Sequence, residues 1–243
     1  MEIETLEENL YSLLKKFIGI KDMSRQKITA VVPVRKGSHK IKNKNLKKFA
    51  GTNLLKIKLE MLKKIDIIDN IVVNSDSDNA LSIASEYGVE QFRRKDYFAS
   101  SKCNNSDFFH HLAENSDTDF IMYSPCNTPL ILEETYYDFI GRFRNGLDRS
   151  DSLSTASIVN RHLWLDGNPI NYDRSNAPSS QDLPDIFALN SGLSIISRDN
   201  MMKYRNIVGS KPSFYKLHDY EAIDIDRPID FEIAEFLYLK YRL

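Results

Sequence analysis

Cysteine is scarce: the 243-residue chain has two, Cys103 and Cys126. Both sit in polar surroundings, at no metal-ligand spacing and with no partner histidine nearby in sequence. That excludes a disulfide framework and a zinc module, and a reducing, cytoplasmic setting is expected. No signal-peptide pattern opens the chain, and no apolar run approaches the roughly 20 residues needed to span a bilayer. Net charge is nearly absent too. Thirty-three Lys and Arg stand against 34 Asp and Glu, giving −1, so no global basic field favours nucleic acid or an anionic membrane. Any anion this protein binds has to be held by a local cluster. Internal repeats and low-complexity tracts are also missing.

What is present suits a globular chain, with 42% hydrophobic and 28% charged residues. The length fits one large domain, or a core domain with an insertion, and allows a substantial core. An N-terminal extension, residues 1–25, places Ile3, Leu6, Leu10, Leu13, Leu14, Phe17 and Ile18 at helical spacing, which predicts an amphipathic helix. Its polar face carries Glu2, Glu4, Glu7 and Glu8 against Lys15 and Lys16, which suits docking on protein rather than membrane. Residues 26–243 form the main domain. Short β-branched runs predict strands over 27–33, 70–74, 89–92 and 118–123. Helical spacing covers 53–65, 78–87 (closed by Gly88) and 132–145. Such alternation implies an α/β fold with a doubly wound, mostly parallel sheet and helices on both faces. Residues 150–185 turn polar, with three prolines and Trp164, and read as an excursion with small strands of its own. A strand over 188–197 and a helix over 229–242 follow.

The loop after the first strand, Arg35 to Asn45, holds five cationic side chains, a glycine, a serine and two asparagines. Open α/β sheets bind ligands at the carboxyl ends of their strands. A triphosphate needs this lining: N–H groups exposed where glycine permits close approach, plus fixed positive charge. The Gly-Lys-Ser/Thr ending of a Walker loop is missing. The alternative is a solvated lysine-rich turn. Near the C-terminus, Asp224 and Asp226 stand two apart on an extended segment. Alternation would point both to one face, where they can share a hard cation such as Mg²⁺. The alternative there is that Asp226 and Asp230 merely cap the following helix. His110, His111, His218 and Trp164 read as structural residues.

Pro33, Arg35, Gly37, Ser38, Lys44 and Asn45 match in register the pattern P-A-R-x-G-S-x-x-x-x-x-K-N. The segment thus resembles the acylneuraminate cytidylyltransferases, the CMP-sialic acid synthetase family. Departures fall at His39, Lys40 and Lys42, where the family usually has Lys, Gly and Pro. Further landmarks follow in family order. Asn74-Ser75-Asp76 resembles S-T-D. Phe92-Arg93-Arg94 with Phe98-Ala99-Ser100 resembles R-R-P…L-A-S-D, although Lys95 replaces the Pro and Ser101 the Asp. Asn127 to Leu130 is similar to T-S-P-L, Gln181 to Pro184 to the end of R-R-Q-D-L-P, Asn190 to Gly192 to N-G-A, and Ile223 to Asp226 to I-D-x-D.

The resemblance implies a nucleotide-diphospho-sugar transferase-like, Rossmann-like fold and transfer of CMP from CTP to an acidic 3-deoxy sugar, with pyrophosphate leaving. It implies Arg35 and Lys44 on the triphosphate, Gly37, Ser38, Asn45, Asp76 and Arg94 on the nucleotide, and Asn127, Gln181 and Asn190 toward the sugar. Asp224 and Asp226 would hold Mg²⁺, with Asp230 as N-cap candidate. It also implies a homodimer whose excursion reaches over the neighbour's site. The family's sugar-side glutamine, its arginine pair and a tyrosine are not kept; Pro125, Ser179 and Ser180 stand at the first three of these positions. A legionaminic-type or Kdo-like sugar therefore fits better than ordinary sialic acid. Two rivals remain: a non-catalytic nucleotide- or sugar-binding protein on this fold, and a nucleotidyltransferase using another base. Arg35, Lys44, Asp224 and Asp226 together speak against the first, because a binding module needs no paired metal carboxylates.

Overall fold

The computed structural model describes residues 26–37 and 40–241. The helix expected over residues 3–18, and Ser38 and His39 of the basic loop, lie outside the described residues. Strand β1, Ile28–Val34, is buried almost throughout, as expected of a parallel strand covered on both faces. A 3₁₀ turn (Lys44–Leu46) and a small hairpin, β2 (Lys48–Phe49) and β3 (Thr52–Asn53), lead to α1 (Leu54–Lys64). Asn53 caps α1 by accepting the Lys56 N–H at 3.0 Å, and Lys63 and Lys64 close it where the helix dipole favours cations. There follow β4 (Asn70–Ser75), α2 (Asp78–Glu86), β5 (Glu90–Arg93), α3 (Asp96–Ala99), α4 (Asn105–Glu114), β6 (Phe120–Tyr123) and α5 (Glu133–Gly146). The second half adds β7 (Ser152–Ile158), a hairpin of β8 (Trp164–Leu165) and β9 (Asn168–Pro169), β10 (Phe187–Ser197), α6 (Arg198–Tyr204), β11 (Pro212–Lys216) and α7 (Pro228–Tyr241).

Seven strands form one sheet in the order β11-β7-β10-β6-β1-β4-β5. All neighbours are parallel except at β10, which runs against both β6 and β7. The expected mostly parallel sheet is therefore present. Alternate residues of β1 feed two cores. Ile28, Ala30, Val32 and Val34 pack with residues of α1, α2, α5 and α7. Val31 packs with Phe109, Leu112 and Ala113 of α4 and Met201 of α6. Helices thus cover both faces. No helix among the described residues is long and apolar enough to cross a membrane.

Three local expectations need correction. The excursion starts later than residue 150, because Ser152–Ile158 is a core strand between β10 and β11. Its small hydroxyl residues hid it: Ser152, Ser154 and Thr155 are buried. Thr155 donates to Asn190 Oδ1 at 2.6 Å. His111 is not on a helix surface; it is buried and stacks on Phe98 with ring centroids 3.7 Å apart. Asp224 and Asp226 lie on no strand. Their segment has no strand assignment, yet Ile225 between them is fully buried and its N–H donates to the Asn127 carbonyl, so the alternation survives without a ladder.

Candidate active site

From β1 the chain crosses to β4 on one side, whereas β6 pairs on the other. Adjacent strands whose connections leave in opposite directions open a crevice at their carboxyl ends. A cleft of about 500 Å³ lies there. Pro33 near the end of β1 and Arg35 just past it, Lys40, Lys44 and Asn45 of the basic loop, Arg94 past β5, Tyr123 at the end of β6, and Pro125 and Asn127 past it line the cleft, and Asp226 closes it from the C-terminal segment. A larger depression, 630 Å³, lies at the opposite end of β1 and β6. It carries Glu114, Asp117, Asp119 and Asp199 against Arg198, a charge balance that repels a polyphosphate.

The basic loop is not a free charge run. The Lys36 N–H donates to Asp76 Oδ1 at 2.8 Å, so Asp76, at the end of β4, shapes the loop rather than lining the cleft. Gly37 has φ +78°, a left-handed conformation that a side chain would strain. The Lys44 ammonium reaches across the cleft floor to donate to the Ile225 carbonyl. Burial pushes its pKa below the ordinary lysine range, while Asp224 and, less strongly, Asp226 pull it back. Lys40 pairs with Asp226 at 3.0 Å, both side chains more than half exposed. Asn45 offers a buried Oδ1 without a hydrogen-bond partner among the described residues.

Arg94 is 4% exposed. Its Nε and Nη2 donate to the Asn74 side chain and carbonyl at 2.6 and 2.7 Å, and its guanidinium stacks 4.4 Å from the Phe108 ring centroid. Burial lowers its pKa to about 10, so it stays cationic at neutral pH. A fixed, desolvated cation at a cleft wall is suited to an anionic or carbonyl-bearing ligand. Burial pushes the Tyr123 phenol up to about 12 and the Cys126 thiol up to about 12, which leaves neither as a nucleophile at neutral pH.

The structure thus gathers Arg35, Lys44, Asn45, Arg94, Asn127 and Asp226 at one cleft, with Asp224 beside Lys44. It does not bring in Gln181, which is exposed on a 3₁₀ turn (Ser180–Asp182). Asn190 is likewise absent from the lining; its Oδ1 accepts from Thr155 and its Nδ2 donates to Ser157 Oγ at 3.3 Å, bracing the β7–β10 bulge. Asp230 is not the N-cap of α7. It sits third in the helix after Pro228 and reaches back to the Arg227 N–H at 2.7 Å. Cleft residues given no role from sequence include Phe98 and Ser100, noted only within a family landmark, and Cys103, Asn104 and Phe108. They come from α3, α4 and the turn between them, where no apolar period marks a cleft wall.

Among the described residues no group of three His, Cys, Asp or Glu could hold a metal ion. Asp226 lines the cleft and Asp224 is near enough to act on Lys44; hard carboxylates fit a cation that keeps water and shares phosphate oxygens, such as Mg²⁺, better than a structural Zn²⁺.

Comparison with known proteins identifies the family. A family model described as cytidylyltransferase matches residues 29–241. Post-translational flagellin modification protein B of Campylobacter coli is 24% identical over 224 residues, covering 86% of this chain and 94% of that protein. N-acylneuraminate cytidylyltransferase of Oncorhynchus mykiss is 26% identical over 238 residues, covering 91% of this chain and 53% of that protein. CMP-N,N'-diacetyllegionaminic acid synthase of Campylobacter jejuni is 22% identical over 221 residues, covering 86% and 94%. The chain therefore spans about half of the trout protein and nearly all of the two Campylobacter ones. Among solved structures, CMP:2-keto-3-deoxy-manno-octonic acid synthetase complexed with CTP superposes with a TM-score of 0.67 at 13% identity, covering 88% of this chain and 99% of that one.

Proposed function

The chain belongs to the cytidylyltransferase family, and we propose that it transfers CMP from CTP to an acidic 3-deoxy sugar of the nonulosonate or Kdo-like class. The observation that carries this reading is the joining of the phosphate-type loop, Arg35 to Asn45, to Asp226 from the far end of the chain at one cleft. The reaction forms a bond from the sugar's anomeric oxygen to the α-phosphorus and breaks the bond to pyrophosphate. Little covalent chemistry falls to the protein; it aligns the two oxygens and stabilises charge. Arg35 and Lys44 meet the phosphates, and Arg94 with Asn45 meets the nucleoside. Asp224 and Asp226 would hold Mg²⁺, which neutralises phosphate charge when bound. Asn127 is the sugar-side candidate that lines the cleft. The legionaminic acid in the name of the Campylobacter jejuni relative, and Pro125 at the cleft wall, support a substrate other than ordinary sialic acid.

We also place the enzyme in the cytoplasm, as a homodimer. Exposed Trp164, Leu165 and Ile170 of the excursion, with Phe187 and Leu189 beside it, supply an apolar surface for a second copy. The test is a pyrophosphate-release assay over the four nucleoside triphosphates with a panel of sugar acids and Mg²⁺. Release is expected with CTP and a nonulosonate or Kdo-like acid, and should be nearly abolished in Asp226→Asn. Release with another nucleotide, or none with any acid, would overturn the reading.

A further inference from the structure

Helix α5 begins without a cap of its own. Leu132 occupies its N-cap position and offers no side-chain acceptor. The acceptor comes from far along the chain. Glu221 Oε1 takes the Leu132 N–H at 2.8 Å and the Thr135 hydroxyl at 2.7 Å. Glu221 is fully buried, and a buried carboxylate is costly unless its surroundings compensate it. Here two donors on Oε1 and the positive end of a 14-residue helix offset part of that cost, while Oε2 is buried with no hydrogen-bond partner among the described residues.

This carboxylate sits just ahead of the acidic pair. Asp224 lies three residues on, and the chain is fastened again at Ile225. The Ile225 N–H donates to the Asn127 carbonyl at 2.9 Å, and its own carbonyl accepts from Lys44. Asp224 is thereby held between two anchors, one on α5 and one on the turn after β6. The segment belongs to no strand, and these bonds, two from side chains and one between backbones, fix its place instead of a ladder. We propose that Glu221 is a positioning residue that sets the place of the Asp224 and Asp226 carboxylates and thereby the site's affinity for a divalent cation. The inference rests on the reading that this pair holds the cation.

The experiment measures Mn²⁺ binding to the full-length protein by electron paramagnetic resonance without nucleotide, CTP binding without metal by calorimetry, and thermal melting. In Glu221→Ala, Mn²⁺ affinity should fall about 10-fold, the range for groups that orient ligands from behind. Metal-free CTP affinity should fall less than Mn²⁺ affinity, since Arg35 and Arg94 stand on other elements and only Lys44 is tied to this segment, at Ile225. Thr135→Val removes one of the two bonds and should give a smaller fall in Mn²⁺ affinity in the same direction. It also keeps the test available if the Ala variant does not fold. A folded Glu221→Ala or Thr135→Val variant that binds Mn²⁺ like the parent would reduce Glu221 to a helix cap. Asp224→Asn separates the two layers. Unchanged Mn²⁺ binding there would remove the cation reading itself, whereas lost binding there with an unaltered Glu221→Ala would overturn only the positioning role.

Discussion

Replacing Lys44 by Met keeps the aliphatic stem and removes the ammonium that bridges the basic loop to the Ile225 carbonyl. In the parent this group is partly desolvated, with Asp224 and Asp226 close enough to act on it. Two effects on stability then oppose each other. Loss of a charged hydrogen bond costs about 1.5–3 kcal/mol, while relief from burying the ammonium returns part of that. The net fall in stability should be about 1 kcal/mol, a shift of a few degrees in melting temperature. Binding has no such offset. If Lys44 meets a phosphate oxygen, CTP affinity should weaken by about 1.5–3 kcal/mol, roughly 10- to 150-fold. Lys40→Met is the control. Its pair with Asp226 is solvent-exposed and worth at most about 1 kcal/mol. Calorimetric titration with CTP and a melting curve on both variants give the comparison. A Lys44→Met protein that melts near the parent and binds CTP within twofold would refute the assignment of Lys44 to the phosphates.

Arg35→Ala should weaken CTP binding by about 1.5–3 kcal/mol in the same titration with little change in melting, because Arg35 is exposed; equal affinity would remove it from the site. Gly209→Ala should lower the melting temperature clearly, since an added Cβ would lie 2.1 Å from Asp151 Oδ1. That carboxylate is not free to move, as it accepts from Ser210 N–H, Ser210 hydroxyl and Lys211 N–H at 2.8, 2.9 and 2.9 Å; an unchanged melt would show that the turn yields. Acid should expose the same contact. Burial raises the Asp151 pKa, but the Lys211 and Ser210 donors outweigh it and hold it below the ordinary carboxylate value. Its stabilising contribution is therefore complete above about pH 4 and lost as pH falls through the lowered value. Urea midpoints from pH 6 to pH 3 should fall less steeply in Asp151→Asn than in the parent, and parallel curves would contradict this.

Much of the first half of the fold was legible because its residues are locally consistent. Ile28 to Val34 is a parallel-strand run, Asn53 and Ser77 cap the helices next to them, and Gly88 ends α2 with φ +65°. The second half was harder to read. Strand β7 buries hydroxyl residues whose partners, such as Asn190, stand on a strand distant in sequence, and β11 alternates without strong apolar character. The site divides along similar lines. Arg35, Lys44 and Asn45 were marked by their place after a buried strand. Arg94 was marked by resemblance alone, and Asn74, which orients its guanidinium, stood in a family landmark that gave it no role. Gln181 and Asn190 resembled family positions in order but do not line this chain's cleft: nothing local says where the excursion carrying Gln181 will lie, and Asn190 is taken up by Thr155 and Ser157 on the neighbouring strand.

The tie between Lys44 and Ile225 joins positions 181 residues apart, and that between Lys40 and Asp226 spans 186. During synthesis the basic loop is among the first parts of the main domain to emerge, whereas its acidic counterpart emerges near the end. Until then the cations of the cleft stand without Asp224 and Asp226. Loop closure over such a distance comes late and is slow. The cleft is therefore assembled only once almost the entire domain has been made.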